Sequence, residues 1–154
     1  MRISVITVCY NAASTLKDAV DSVLGQVPDG EAPFELEYIV VDGASTDGTL
    51  DLLASYSERI ATLISEPDQG LYDAMNKGIK AATGDVVAFL NADDVYASTN
   101  VLARVAATFR DSGAEAVYGD LHYVAADDLS QVIRRWKAGA YAPGAFRRGW
   151  MPPH

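Results

Sequence analysis

The chain has 154 residues, 49% hydrophobic and 21% charged, with a formal net charge of −9. That size allows one domain with a real core, and the acidic balance argues against a nucleic-acid-binding domain. No apolar run nears the roughly 20 residues of a membrane span, and Met1-Arg2 leads directly into a strand pattern rather than a leader.

Residues 3–11, ISVITVCYN, read as a buried strand, apolar and β-branched. Over 14–27 the apolar positions Leu16, Ala19, Val20, Val23, Leu24 and Val27 recur at helical spacing. Ser14 or Thr15 is placed to cap that helix. Residues 27–33, VPDGEAP, form a loop, and 35–43 a second strand that ends on Asp42-Gly43. A helix over 47–58 and a short strand over 61–65 follow. The helix over 68–84 closes on Gly84. On it Asp73, Asn76 and Lys77 share one face, while Leu71, Met75 and Ile79 form the apolar side. Residues 85–90, DVVAFL, read as a fourth, buried strand. The helix over 100–111 stops before Gly113, and a strand over 115–120 follows. Residues 121–136 read as a hairpin turning at Ala126-Asp127-Asp128.

This alternation specifies a doubly wound, mostly parallel sheet with helices on both faces, an α/β sandwich of three layers. Ligands bind such sheets beyond the carboxyl ends of their strands. There the first strand presents Thr7, Cys9, Tyr10 and Asn11, the second Asp42, Gly43 and Ser45, and the fourth Asn91, Asp93 and Asp94. Any one end could be a turn; three together predict a shared site.

The ligand is narrowed by what the loops lack. No G-x-G-x-x-G follows the first strand, and GASTDGT (43–49) carries Thr49 where a phosphate-binding loop needs lysine. A diphosphate then requires a cation held by carboxylates. Asp93, with Asp94 beside it, is the natural holder, and hard oxygen ligands suit Mg²⁺ or Mn²⁺. Asp42 can accept a hydrogen bond from a base or sugar edge, and Tyr10 offers a ring to stack on. Lys77 could meet phosphate, with Asp68 and Asn76 near it, or the helix face could simply be solvated.

TVCYN, YIVVDGASTDGT, DQGLYDAMNKGI, ATGDVVAFLNADD and VYGD occur in an order and spacing that resemble family 2 glycosyltransferases of the GT-A fold, in particular a bacterial O-antigen and exopolysaccharide subgroup. The resemblance spans about residues 3–125 and implies a metal-dependent, inverting transfer from a nucleotide-sugar donor, a UDP-sugar above all, to a glycan or lipid-linked acceptor. By position it implies that Thr7, Val8, Tyr10 and Asn11 line the nucleotide pocket and that Asp42 bonds the uracil. Asn91-Ala92-Asp93 stands for the D-x-D metal motif, with Asn91 departing from the commoner Asp. Ser45, Asp68, Asn76 and Lys77 complete the donor-side set, and His154 falls on the acceptor side.

The resemblance divides the chain into a donor-binding core over 1–125 and the start of an acceptor-side region over 126–154. All 21 acidic residues lie within 1–128. The general base such a transfer needs is therefore expected beyond His154, in a longer protein. Residues 129–154 hold five basic residues with Trp136, Tyr141, Phe146 and Trp150. Such a tail suits an anionic membrane surface or a phosphorylated acceptor, or is a solvated face with packing aromatics. The lone Cys9 fits a cytoplasmic setting, and the tail would place the chain at the inner face of the membrane. Two alternatives stay open: a nucleotide-sugar-binding module without catalysis, and a nucleotidyltransferase. The second expects a glycine-rich basic loop after the first strand, where NAASTLKD has no glycine.

Overall fold

The structure, a computed structural model, describes residues 1–30 and 33–152. The chain divides into two compact units, Met1–Asp111 and Ser112–His154.

The first unit is built on four parallel strands, β1 (Arg2–Cys9), β2 (Glu35–Asp42), β3 (Thr62–Ser65) and β4 (Val86–Phe89), in the order β3-β2-β1-β4. The strand that comes first in the chain therefore lies inside the sheet, and seven of its eight residues are buried. A β-branched, two-sided apolar run suits that place, because parallel sheets are covered on both faces. Burying each such side chain contributes about 1.5–3 kcal/mol. Register pairs Val5 with Tyr38 and Ala88, and Ile6 with Ile39 and Phe89.

Helices α1 (Leu16–Leu24), α2 (Thr49–Ala54) and α4 (Val101–Ser112) cover one face. There Leu16, Val20, Val23, Leu53, Leu102 and Ala106 join Val5, Tyr38 and Val40. Helix α3 (Leu71–Ala81) covers the other, with Ala74 against Ile6, Val8, Ile39 and Val41. This is the three-layer α/β/α arrangement expected from the alternation.

Several local expectations are corrected. Helix α3 does not bury Leu71 and Ile79, which are about half exposed; it packs through Ala74 and Gly78. The reason is close approach: a Cβ on Gly78 would lie 2.5 Å from Ile6 Cγ2, so small residues set the contact. Gly84 is not a left-handed cap. Ala82 ends α3 in extended conformation, and Gly84 lies against the β1 backbone, where a Cβ would come within 2.8 Å of the Arg2 carbonyl oxygen. Strand β4 is half exposed rather than buried, because it lies at the edge of the sheet among the described residues, with Val87 and Phe89 open. Residues 115–120 form no strand.

Below the sheet, Glu37 is buried and fully engaged. It accepts hydrogen bonds from Ser4 Oγ, from Thr83 N at 2.8 Å and Thr83 Oγ1 at 2.6 Å, and pairs with the Arg2 guanidinium at 3.0 Å. Burial opposes its charge, but the Ser4 and Thr83 bonds and Arg2 outweigh it and bring the carboxyl down to about 2. This clamp ties the segment after α3 to β1 and β2.

The second unit contains an antiparallel hairpin, β5 (Leu121–Ala125) and β6 (Asp128–Trp136), as expected, with an irregular register near Val124. Two-stranded hairpins are marginal alone. Here the remainder of the unit supplies other contacts. Asp120 accepts from Ala138 N at 3.0 Å, Trp150 Nε1 donates to the Ala138 carbonyl at 3.1 Å, and Tyr118, Tyr141 and Phe146 each lie 5.4–5.6 Å from the Trp150 ring. These tilted and edge-on pairings are favourable aromatic geometries. No helix among the described residues is long and apolar enough to cross a membrane.

Candidate functional site

Above the carboxyl ends of β1 and β4 lies an open cleft of about 420 Å³. It is lined by Val8, Cys9, Tyr10, Asn11, Ala12, Ser14, Thr15, Leu71, Asn91, Ala92 and Asp93. The sheet places it there: β1 is central and β4 its neighbour, so Tyr10-Asn11 and Asn91 to Asp93 leave adjacent strand tips. Two of the three predicted strand ends thus share the cleft wall. Ser14 and Thr15 belong to it as well. They had been expected as caps, but α1 starts without a side-chain cap bond.

The third strand end stands behind that wall. Asp42 is wholly buried and does not line the cleft. Its oxygens accept from Ser45 N at 3.0 Å, Ser45 Oγ, Ser65 Oγ at 2.8 Å and the Cys9 thiol at 3.8 Å. Direct contact with a base, expected of Asp42, is not what this geometry offers. Its reach into the cleft is indirect, through Ser45 Oγ, which accepts from Asn11 N at 2.7 Å. Three more bonds join the same two loops: Thr46 N to Asn11 Oδ1, Ala12 N to Thr49 Oγ1 and Ala13 N to Asp47 Oδ2, at 2.9–3.1 Å. The GASTDGT segment is therefore a brace for the β1 loop. It holds Asn11 at φ +49° and Ala44 at φ +63°, left-handed values that residues with a Cβ rarely adopt. Burial, then the Asp42 charge, pushes the Cys9 thiol up to about 12, so it stays protonated.

Thr7 also falls outside the cleft. It is fully buried, and its hydroxyl accepts from Tyr38 Oη at 3.0 Å. Depth along the strand decides this: Cys9, two residues on and by alternation on the same face, reaches the cleft, while Thr7 stays inside the sheet.

At the β4 tip Asp93 is exposed in the cleft, and Asp94 is half-buried outside its lining. Burial first, with the Asp93 charge adding, raises the Asp94 carboxyl, opposed by a 3.2 Å bond from Asn91 Nδ2. That bond turns the Asn91 amide toward Asp94. Among the described residues no three His, Cys, Asp or Glu side chains converge as a metal cluster. Among the described residues Asp93 is the one carboxylate in the cleft wall.

Helix α3 contributes Leu71 to the lining, which hydropathy alone assigned to a core face. Asn76 is exposed and Lys77 is occupied: its amine contacts Glu66 at 2.9 Å and Asp73 at 3.7 Å and donates to the Pro67 carbonyl at 2.8 Å. Neither lines the cleft, nor does Asp68, which sits beside Gly43 and the Tyr10 ring. His154 lies outside the described residues.

A sequence model of glycosyl transferase family 2 matches residues 4–150, nearly the whole chain. The chain belongs to that family. Among curated family relatives, a PGL/p-HBAD biosynthesis glycosyltransferase of Mycobacterium bovis is 37% identical over 122 residues, covering 77% of this chain and 46% of the relative. An uncharacterized glycosyltransferase of Nostoc is 38% identical over 127 residues, covering 80% and 37%. The chain thus spans less than half the length of these relatives. Among solved structures, Staphylococcus aureus TarS in complex with UDP-GlcNAc superposes with a TM-score of 0.64 at 26% identity, over 73% of this chain and 32% of that one. The mannosyltransferase PcManGT of Pyrobaculum calidifontis, in complex with GDP-Man and Mn²⁺, gives 0.63 at 29% identity, over 80% and 35%. Both carry the GT-A fold of this family 2 chain.

Proposed function

We propose that the chain binds a nucleotide-sugar donor in the cleft and forms the donor side of an inverting glycosyl transfer to a glycan or lipid-linked acceptor. The observation that carries this reading is the joint cleft wall: Tyr10 and Asn11 from β1 facing Asn91, Ala92 and Asp93 from β4. A nucleoside fits the Tyr10 side, where a ring is exposed for stacking. The diphosphate belongs at the Asp93 side. The solved relatives support this reading, since complexes of TarS and PcManGT carry UDP-GlcNAc and GDP-Man.

A lone carboxylate beside a diphosphate would repel it, so a divalent cation is part of the proposal. Asp93 would hold it. The donor set fits Mg²⁺ or Mn²⁺, which take one or two carboxylates and complete their shell with phosphate oxygens and water; it does not fit Zn²⁺, which favours nitrogen and sulfur ligands. When bound, the cation would neutralise charge on the departing diphosphate. The protein's own work is to fix the nucleoside against Tyr10 and to hold the β1 loop rigid through Ser45, Asp47 and Thr49, which keeps the anomeric carbon in place for in-line attack.

Binding of the donor without transfer is the second reading. It is supported by two acids of the second unit that are already engaged: Asp120 accepts from Ala138 N, and Asp128 accepts from Ser130 Oγ and N, which hold its carboxyl below the usual range. Titration calorimetry with UDP and GDP, with and without Mn²⁺, tests the shared part; binding of neither nucleotide would refute it. UDP release on adding a lipid-linked acceptor separates transferase from binding module.

A further inference from the structure

We propose that the aromatic cluster of the second unit, with the basic residues around it in the chain, is a docking surface for an anionic phospholipid bilayer. This surface lies within the unit Ser112–His154 and does not depend on what the cleft binds.

The cluster is built around Trp150. Its ring meets those of Tyr118, Tyr141 and Phe146 at 5.4–5.6 Å, and Tyr141 meets Phe146 at 5.7 Å. Two polar tips are satisfied within the unit: Trp150 Nε1 donates to the Ala138 carbonyl, and Tyr118 Oη donates to the Gly139 carbonyl at 3.0 Å. Rings so arranged can close a small core. Here they do not: Tyr118, Tyr141, Phe146 and Met151 stay 39–60% exposed. Single exposed apolar side chains are ordinary, but a contiguous patch of them marks a binding surface.

Charge names the occupant. A 3₁₀ turn, followed by Gly149 in left-handed conformation at φ +79°, carries Phe146, Arg147 and Arg148 together. Arg134 and Arg135 lie near the end of β6, and Lys137 comes just after it. All five basic side chains are exposed, and no described acidic residue lies within ion-pair distance of any of them. Residues 129–154 contain no acid. An apolar protein partner would cover the rings and leave these cations without counter-ions. A soluble phosphorylated ligand would pair the cations and leave the rings in water. An anionic bilayer meets both needs, because amphipathic rings settle at headgroup depth and long basic side chains reach the phosphates. Apolar burial and attraction to anionic lipid add in such binding, and each basic residue near the surface is worth about fivefold.

The test is co-sedimentation of the chain with vesicles of phosphatidylcholine alone and of phosphatidylcholine mixed with phosphatidylglycerol. Binding should be at least about tenfold tighter to the anionic vesicles. It should weaken as salt is added, since the Debye length shrinks from about 10 Å at 0.1 M to about 3 Å at 1 M. Phe146→Ser should weaken it about fivefold through lost apolar burial. The paired change Arg147→Gln with Arg148→Gln should weaken it about twentyfold. These three side chains are exposed, so the melting temperature should hold in both variants. A second readout needs neither variant: in Trp136→Phe, the emission of Trp150 should shift to the blue on anionic vesicles and be quenched by brominated lipid. Equal binding to the two kinds of vesicle overturns the proposal, as does binding that survives both variants undiminished or Trp150 emission that ignores brominated lipid. Affinity for inorganic diphosphate with none for vesicles overturns it too, and assigns the arginines to a soluble phosphorylated ligand.

Discussion

The two ends of the β1–β2 pair each bury a carboxylate among hydroxyls, and they do opposite things with it. At the amino end, Glu37 meets Ser4, Thr83 and the Arg2 guanidinium, and every bond closes within the sheet and its connection to α3. At the carboxyl end, Asp42 meets Ser45, Ser65 and Cys9, with no ion-pair partner among the described residues. Its influence passes outward through Ser45 to Asn11 and so to the cleft. A buried acid with its own cation is a fastening. One held by neutral donors, behind a loop in left-handed conformation, is a support for something that binds.

The sharpest way to break this contrast is to remove the carboxylate in the cleft itself. Asp93→Ala should cost about 100-fold in Mn²⁺-dependent UDP affinity, on the scale of a lost charge-stabilising contact, with melting unchanged. Calorimetry with and without the metal checks it; equal affinity would remove Asp93 as the metal holder. At the fastening end the effect should be on stability alone. Glu37→Ala should lower unfolding free energy by about 2 kcal/mol, by leaving buried donors unpaired, while UDP affinity of the folded protein stays at the wild-type value. Urea titration and calorimetry together read both. Ser45→Ala lies between: about tenfold weaker UDP binding and about 1 kcal/mol of stability. If it shifts stability and spares binding, Asp42 and Glu37 are alike and the contrast fails.

A further test concerns pH. Glu37 titrates near 2 when folded against an ordinary value of 4.5. A lowered folded value stabilises the protein above the ordinary range, and that share is lost as pH falls from about 4.5 toward 2. The stability gap between wild type and Glu37→Gln should be constant above that window and shrink within it. A gap that ignores acid would show that Glu37 is not ionised in the fold.

The fold was legible in the sequence because the strands and helices differ in period: β1 and β2 carry runs of apolar, β-branched residues at their centres, while α1 repeats its apolar residues every three or four. The site was legible only as a neighbourhood. Tyr10, Asn11, Asn91 and Asp93 follow from strand ends meeting at one edge. Whether a polar side chain at such an end meets the cleft or the interior depends on how far along the strand it sits and on loop bonding, which is how Thr7 and Asp42 came to lie inside. The place of Asp68 depends on the absence of a side chain at Gly43, in a loop 25 residues upstream, and no local pattern records that. Leu71 and Ile79 had the spacing of a core stripe, but the closer approach through Ala74 and Gly78 prevailed. Residues 115–120 had strand propensity and found no strand to pair with.

The central position of β1 has a consequence for how the chain is made. Residues 2–9 are synthesised long before β4, and Arg2 completes its pairing with that strand only when Asp85 N reaches its carbonyl oxygen at 2.8 Å, 83 residues later. Until then an apolar, β-prone segment waits with one side unpaired, and closing so long a loop slows folding. The most buried strand of the finished protein is therefore its most vulnerable stretch at birth, and the one a chaperone would be expected to shield.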